Sequence, residues 1–300
     1  MIKEDNFCEL LLPYESYKGK FDEIQTANPA NITTVALGNF DGIHLGHKKL
    51  FANIGENGAA VVILKDYYKL TPFRAREKFT DLPIFYFDLH DIKNLEGDEF
   101  VALLRNKFPN LTKIVVGDDF KFGKDRKFDT EFLQNRFKGT TTIIDEVCID
   151  GTGVHTTVIK IFLRNGNIIS ANRFLGRKYE ISGKVVSGQG IGKKDLVATI
   201  NLQTGQYFLP CDGVYATFTR VNEKIYKSVS FIGHRVSADG EFAVESHIFG
   251  NFNEENFKFA TIYFVKFLRE NKKFHDLTEL KQQILIDIEN ANKALENETI

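Results

Sequence analysis

The stretch Gly38-Asn39-Phe40-Asp41-Gly42-Ile43-His44-Leu45-Gly46-His47 decides the interpretation of the N-terminal half. The β-branched and apolar residues Thr33 to Leu37 precede it and predict a buried strand, and Lys48 to Ile54 predict a helix behind it. In an open parallel sheet, ligands bind beyond the carboxyl ends of the strands. The glycines let the backbone approach a ligand closely, and the helix N-terminus offers N–H groups and partial positive charge. This order of elements therefore predicts a phosphate site.

Two histidines, His44 and His47, lie three residues apart at this turn. Both imidazoles can point at one phosphate, and as donors they would stabilise the charge that develops on a pentavalent α-phosphorus. Their pKa lies near neutrality, so either protonation state is accessible. A His-x-x-His pair alone also occurs in ordinary surface turns. The coincidence with a strand, three glycines and a helix favours the catalytic interpretation.

The rest of the first half alternates between strand and helix patterns. Further strands are predicted at Ala59 to Leu64, at Lys113 to Val116 with Gly117, and at Thr141 to Val147. Between them, Asp98 to Asn106 has the apolar spacing of a helix. Strands separated by helices predict an α/β domain with a parallel sheet and helices on both of its faces.

The pattern changes in the second half. Thr156 to Leu175 predicts two short helices joined at Asn165-Gly166, and a domain boundary is expected near Tyr179 to Gly183, giving domains 1–180 and 181–300. Short β-rich runs then predict an antiparallel barrel or sandwich; they include 185–186, 217–218, 228–232, 242–244 and 261–267. Asp276 and Glu279 resemble a capping box before a terminal helix with an apolar stripe.

The composition limits which kinds of ligand and which cellular compartment are expected. The 300 residues suit two domains, and 39 Lys and Arg against 40 Asp and Glu leave a net charge of -1. No basic excess favours nucleic acid, so small anionic ligands are expected. Three dispersed cysteines, no signal-like start and no long apolar run predict a cytoplasmic protein without a membrane segment. The sequence does not determine the oligomeric state.

A second glycine-rich segment opens the β-rich half. Gly188, Gly190 and Gly192 precede Lys193 and Lys194, a pattern that can cradle phosphates but that also suits a tight loop beside a strand. Downstream, Thr199 and Asn201 are two residues apart. On a strand that spacing puts both side chains on one face, where a hydroxyl and an amide oxygen could hold the Mg²⁺ of Mg-ATP.

The stretch from Gly38 to His47 resembles the signature of the bacterial bifunctional riboflavin kinase/FMN adenylyltransferases, also called FAD synthetases. These enzymes belong to the wider His-x-Gly-His nucleotidylyltransferase superfamily. The resemblance extends from about Asn31 to Ala294, with the motifs in the expected order. It implies a Rossmann-like nucleotidylyltransferase domain followed by a small antiparallel β-barrel of riboflavin kinase type with a terminal helix.

The resemblance assigns ATP and FMN contacts in the first half to Gly38, Phe40, Asp41, Gly42, Gly46, Asp119, Phe120, Thr157 and Lys160. Two segments depart from the family pattern. The usual Ile-Ser-Ser-Thr-x-x-Arg motif reads Val154 to Lys160, so a lysine replaces the arginine and loses its bidentate fork. The usual loop with proline and histidine after the second strand is replaced by Lys65 to Tyr68. Either change could alter how ATP is oriented.

In the second half, the kinase hallmark Pro-Thr-Ala-Asn reads Ala198 to Asn201, which keeps both polar members. The resemblance makes Glu245 the general base for riboflavin, although an isolated strand glutamate is more often a solvated residue. It also implies flavin or ATP contacts for Gly188, Gly192, Lys193 and Arg269. For Arg269, pairing with Glu270 or Asp276 is the alternative.

The function that the resemblance implies has two steps, with ATP, riboflavin and FMN as substrates and Mg²⁺ as cofactor. Riboflavin is phosphorylated to FMN, and FMN is then adenylylated to FAD with release of pyrophosphate. Three alternatives stay open: only one half is active, the first half transfers nucleotidyl groups to another acceptor, or the chain binds flavin or nucleotide without turnover.

Overall fold

A computed structural model describes residues 14–65, 68–186, 198–235, 240–250, 252, 254 and 257–300. The contacts of the chain separate two compact units, Leu12–Thr156 and Thr157–Ile300. We call the first the sheet unit and the second the barrel unit. The placement of the functional domains at 1–180 and 181–300 stays a prediction. Among the described residues, no helix combines the length and the apolar character needed to span a bilayer.

The sheet unit is built on a five-stranded parallel sheet in the order β3-β2-β1-β4-β5. Its strands are β1 Thr34–Gly38, β2 Gly58–Leu64, β3 Ile84–Asp88, β4 Lys113–Gly117 and β5 Thr140–Ile144. A two-residue antiparallel pair follows, formed by β6 Cys148–Ile149 and β7 Thr152–Gly153. The predicted parallel sheet is confirmed, and β3 is an additional strand that the sequence patterns did not identify.

Helices cover both faces of this sheet. They are α1 Leu45–Phe51, α2 Leu89–Ile92, α3 Gly97–Lys107 and α4 Thr130–Arg136, with 3₁₀ turns at Tyr14–Ser16, Phe21–Ile24, Pro29–Asn31, Phe73–Phe79 and Lys124–Arg126. Val35 and Leu37 point to a core that includes α3, whereas Ala36 between them points to the opposite core. This alternation buries the first four residues of β1, as expected of a central parallel strand.

The barrel unit contains six antiparallel strands that close on themselves in the order β10-β11-β12-β9-β8-β13. They are β8 Tyr179–Val186, β9 Ala198–Gln203, β10 Gly213–Val221, β11 Lys224–His234, β12 Phe242–Ile248 and β13 Phe259–Arg269. Helices α5 Thr156–Arg164 and α6 Ile168–Leu175 precede the barrel, and α7 Leu277–Ala294 follows it. The prediction of an antiparallel barrel with a terminal helix is confirmed.

The barrel has an apolar exterior under α7, and its interior contains a cluster of hydroxyls among apolar side chains. Val214, Ala216 and Phe218 on β10 share one core with Ala291 of α7 and the adjacent Leu295. The alternating residues of the barrel strands point inwards. There, five buried hydroxyls form one hydrogen-bonded chain with oxygen–oxygen distances of 2.6–2.9 Å, in the order Ser230, Thr217, Ser228, Thr219 and Ser246. Each hydroxyl can both donate and accept a hydrogen bond, so the buried hydroxyls of this cluster serve as partners for one another.

Candidate functional site

The turn after β1 is held in a strained conformation. Phe40 and Ile43 have φ angles of 49° and 36°, and Gly42 between them has φ 91°. Positive φ is unfavourable for a bulky or β-branched residue, and such strain concentrates at functional sites. The rings and methyls of Phe40 and Ile43 are buried, 1% and 0% exposed, in the core under the sheet. Core packing therefore fixes a backbone shape that the local sequence disfavours.

The two histidines stack where α1 begins. His44 is the N-cap of α1, and its Nδ1 accepts the backbone N–H of His47 at 3.4 Å. The two imidazole rings lie 3.6 Å apart between centroids with an interplanar angle of 20°. Because Nδ1 of His44 accepts, its proton belongs on Nε2, which leaves Nε2–H as a donor.

Two other segments hold this turn in place. The Asp41 carboxylate accepts the backbone N–H of Thr71 at 3.0 Å, and the Thr71 hydroxyl accepts the backbone N–H of Gly42 at 2.8 Å. From another direction, the Thr156 hydroxyl donates to the Asp41 carbonyl oxygen at 2.8 Å. Asp41 and Thr71 are 3% and 2% exposed. The sequence analysis missed Thr71, for which the only signal is a polar residue between Leu70 and Pro72.

The predicted glycine contact at Gly46 has a steric reason. A Cβ atom at Gly46 would lie 3.2 Å from the His44 ring and 3.2 Å from the carbonyl oxygen of Val154. Those distances are shorter than a comfortable van der Waals contact. A side chain at this position would therefore displace either the catalytic candidate His44 or the segment that leads to Thr156.

The loop after β4 lies at the same edge of the sheet as the histidine turn, because β1 and β4 are parallel neighbours. Asp119 and Phe120 are in this loop, and the Phe120 N–H donates to the Gly117 carbonyl oxygen at 3.1 Å. The Phe120 ring stacks at 5.6 Å on Phe122, which belongs to the buried core. Phe120 thus forms a half-buried aromatic surface beside the candidate phosphate site.

Thr157 and Lys160 lie on α5 in the barrel unit. The Lys160 ammonium is 5.3 Å from the ring centre of Phe208, and the Arg164 guanidinium is 5.2 Å from the same ring. Cation–π contacts of this kind hold a basic side chain in place.

The second candidate site lies on the paired strands β9 and β12. Asn201 pairs with Glu245, and Thr199 pairs with His247. These four side chains share one face of the sheet, because residues two apart on a strand point the same way. The Thr199 hydroxyl is 2.8 Å from Nδ1 of His247, and a guanidinium nitrogen of Arg235 lies 3.3 Å from a Glu245 carboxylate oxygen. Burial lowers the pKa of His247 to about 4, so its ring is neutral at pH 7.

Arg269 has a partner that the sequence analysis did not consider. Its guanidinium makes a bidentate pair with Asp287 on α7, with N–O distances of 2.9 Å and 2.7 Å, and it also donates to the Glu270 carbonyl oxygen. Asp287 is 4% exposed. Neither the Glu270 nor the Asp276 carboxylate is the acceptor. Gly188, Gly192 and Lys193 lie outside the described residues.

Comparison with known proteins gives the family. The sequence matches the riboflavin kinase family over residues 175–295 and the FAD synthetase family over residues 26–63. The bifunctional riboflavin kinase/FMN adenylyltransferase of Buchnera aphidicola is 30% identical over 286 residues, which cover 85% of this chain and 91% of that protein. The chain belongs to the bifunctional riboflavin kinase/FMN adenylyltransferase family.

Other members of the bifunctional family align over similar lengths. The protein of the same description from Pseudomonas fluorescens is 29% identical, covering 84% of this chain and 89% of its own length. The one from Bacillus subtilis is 27% identical, with coverages of 88% and 93%. A crystal structure described as a macrolide-efflux protein from Streptococcus pneumoniae superimposes with a TM-score of 0.76 at 25% identity, covering 89% of this chain and 95% of that one.

Proposed function

We propose that this chain phosphorylates riboflavin to FMN and adenylylates FMN to FAD, using one ATP in each step. One observation carries the proposal: each of the two segments that match a family contains a candidate site whose side chains the fold brings together. The segment 26–63 holds the stacked His44 and His47, and the segment 175–295 holds the facing Glu245 and Asn201.

In the adenylyl step, a phosphate oxygen of FMN attacks the α-phosphorus of ATP, and pyrophosphate leaves. The new bond is the P–O–P link of FAD, and the α–β bridge of ATP is the bond that breaks. Nε2–H of His44 and the ring of His47 stabilise the negative charge that builds on the α-phosphate oxygens. The backbone of the turn at Gly42, fixed by Asp41 and Thr71, positions that phosphate.

In the kinase step, Glu245 takes the proton of riboflavin's terminal ribityl hydroxyl, and the hydroxyl oxygen attacks the γ-phosphorus of ATP. FMN forms, and ADP leaves. The contact with Arg235 supports this role because the guanidinium orients the Glu245 carboxylate on the face that it shares with Asn201. The Glu245 and Arg235 side chains are 17% and 22% exposed, so a substrate hydroxyl can reach the pair.

Thr199 and Asn201 fit a Mg²⁺ ion as its protein ligands. When the Thr199 hydroxyl donates to Nδ1 of His247, the lone pairs of its oxygen stay available to a cation. Asn201 adds an amide oxygen on the same face, and oxygen donors are what Mg²⁺ prefers. A bound Mg²⁺ would supply charge neutralisation for the ATP phosphates.

The remaining assignments follow from the same function. We place the adenylyltransferase domain at 1–180 and the kinase domain at 181–300, which the start of the riboflavin kinase match at residue 175 supports. We also propose a cytoplasmic location, consistent with free thiols at the two described cysteines, Cys148 and Cys211. The proposed partners are the small-molecule substrates ATP, riboflavin and FMN, and a net charge of -1 does not favour nucleic acid.

Chromatography of the reaction products tests both steps. The purified protein is incubated with ATP and Mg²⁺, with riboflavin in one reaction and FMN in another, and reactions without Mg²⁺ serve as controls. Conversion of riboflavin through FMN to FAD, together with FAD from added FMN, is the expected result.

Two other outcomes would revise the proposal. FMN that accumulates without FAD would mean that Lys160 and the segment Lys65 to Tyr68 do not support adenylylation. No product from either flavin, under oxidising or reducing conditions, would contradict the enzymatic function and favour a flavin-binding or nucleotide-binding protein.

A further inference from the structure

A charged side chain lies completely buried beneath the histidine turn. Arg76, in the 3₁₀ turn Phe73–Phe79, is 0% exposed. Arginine is almost never fully buried unless it is paired. An apolar residue of similar size often serves stability as well as a buried charge does. The presence of a guanidinium here therefore calls for an explanation beyond packing.

The hydrogen bonds of Arg76 join two strained turns. Its Nε donates to the carbonyl oxygen of Asn39 at 3.3 Å, and its Nη1 donates to the carbonyl oxygen of Phe73 at 3.0 Å. Asn39 directly precedes Phe40, whose φ is 49°, and Phe73 itself has φ 30°. Conformations of this kind persist only where the surroundings hold them. One planar guanidinium fork thus joins the backbone before Phe40 to the 3₁₀ turn that contains Arg76.

The charge of Arg76 also matters to a phosphate. The Asp41 carboxylate that locks the turn is itself buried, and its negative charge would repel ATP. Burial lowers the pKa of Arg76, and the negative charge of Asp41 acts in the opposite direction. An arginine keeps its charge in a protein. The positive charge of Arg76 therefore lies in the core, and its hydrogen bonds go to backbone carbonyl oxygens of the two turns.

We propose that Arg76 is a positioning residue for adenylyl transfer, which holds the turn from Asn39 to Ile43 in shape beneath the proposed ATP site. This assignment rests on the proposed adenylyltransferase function. Arg76 acts through the turn and needs no contact with the substrate.

Arg76→Lys is the decisive variant, because it keeps the charge and loses the fork. We expect kcat for FMN adenylylation to fall about 10- to 100-fold while KM for FMN changes little, since small misplacements of catalytic groups cost that much. Riboflavin phosphorylation by the same chain should stay within about twofold, as for a distant substitution.

Arg74→Lys is the matched control. Arg74 lies in the same 3₁₀ turn, but its guanidinium pairs with Glu77 at 2.8 Å and 3.0 Å. Its adenylylation rate should stay within about twofold of the parent. Equal effects of the two variants would overturn the assignment. The assignment would also be overturned if Arg76→Lys lost adenylylation only in proportion to its loss of folded protein.

Hydrogen exchange gives a readout that does not need catalysis. In Arg76→Lys, amides of residues 38–47 should exchange faster than in the parent, while those of the neighbouring strand β4, Lys113–Gly117, should not change. Unchanged exchange in 38–47 would overturn the assignment even if activity were lost. If the parent makes no FAD from FMN, the proposed function fails, whereas this comparison still decides whether Arg76 fixes the turn.

Discussion

At the residue scale, Glu245 faces Asn201 across β9 and β12 and lies beside Arg235. Glutamine in its place keeps the shape and an acceptor for Arg235 but cannot take a proton. We therefore expect Glu245→Gln to lower riboflavin phosphorylation about 10²- to 10⁴-fold, the usual contribution of a general base. Riboflavin binding, measured by quenching of flavin fluorescence, should persist.

The adenylyl step of the same protein is the control for Glu245→Gln. FAD formation from added FMN should continue at the parent rate, because His44 and His47 lie in the other unit. A variant that still phosphorylates riboflavin at the parent rate would remove Glu245 from the mechanism.

His44 has two roles that substitutions can separate. Asparagine can cap α1 as the His44 ring does, whereas alanine cannot. We expect both His44→Asn and His44→Ala to lose adenylylation by about 10²-fold or more, as expected when one charge-stabilising donor is removed. Only His44→Ala should also lose about 1 kcal/mol in the free energy of unfolding. Urea denaturation separates the two effects, and full activity in His44→Asn would show that capping is the whole role.

At the element scale, α7 is fastened to the barrel by the bidentate pair between Arg269 on β13 and Asp287. Asp287 also accepts from Gln283 at 3.0 Å. Asp287→Ala leaves a largely buried guanidinium without its partner, so we expect a loss of about 3 kcal/mol in the free energy of unfolding of the barrel unit. Urea denaturation, followed by a signal from the barrel unit, measures this free energy of unfolding.

Glu289→Ala on the same helix is the comparison for Asp287→Ala. Glu289 pairs with Lys293, and both side chains are 66% exposed. An exposed pair of this kind contributes little to stability, because water screens the charges and ordering two long side chains costs entropy. Equal destabilisation by the two alanine variants would mean that the bidentate pair does not fasten α7.

Sequence periodicity predicted most of the elements, and its failures have physical causes. The predicted helix over Lys48 to Ile54 corresponds to α1 Leu45–Phe51, which begins earlier because an imidazole serves as its cap. Strand β3 was not identified because Ile84 to Phe87 is a short unbroken apolar run, which has no period to read. The predicted strand near Thr141 is β5 Thr140–Ile144.

The candidate sites divide in the same way. Local spacing identified His44 with His47 and Thr199 with Asn201, because each pair lies within one element. Arg76, Thr71 and Asp287 could not be found this way. Each acts on a residue 18 to 37 positions away, a separation that only the folded chain closes.

At the scale of the whole molecule, each unit has its own core and its own candidate site. We therefore expect that two different protein molecules in one reaction can each carry out one of the two steps. A mixture of His47→Ala and Glu245→Gln proteins should convert riboflavin to FAD, although neither protein does so alone. FMN released by the His47→Ala protein reaches the Glu245→Gln protein through the solution. A lag in FAD formation should reflect the time that FMN takes to accumulate. Chromatography at timed intervals measures it. A mixture that stops at FMN would indicate that both sites must lie on one chain.

The closed barrel also determines which strands of the protein can start aggregation. Every barrel strand has a hydrogen-bonded neighbour on each side, so a foreign strand cannot add to it until a ladder breaks. The parallel sheet ends instead on β3, whose Ile-Phe-Tyr-Phe run is buried and uncharged. Such a segment, once uncovered, is a template for joining other chains. Aggregates formed on heating should therefore be seeded through Ile84–Asp88, and not through a strand of the barrel.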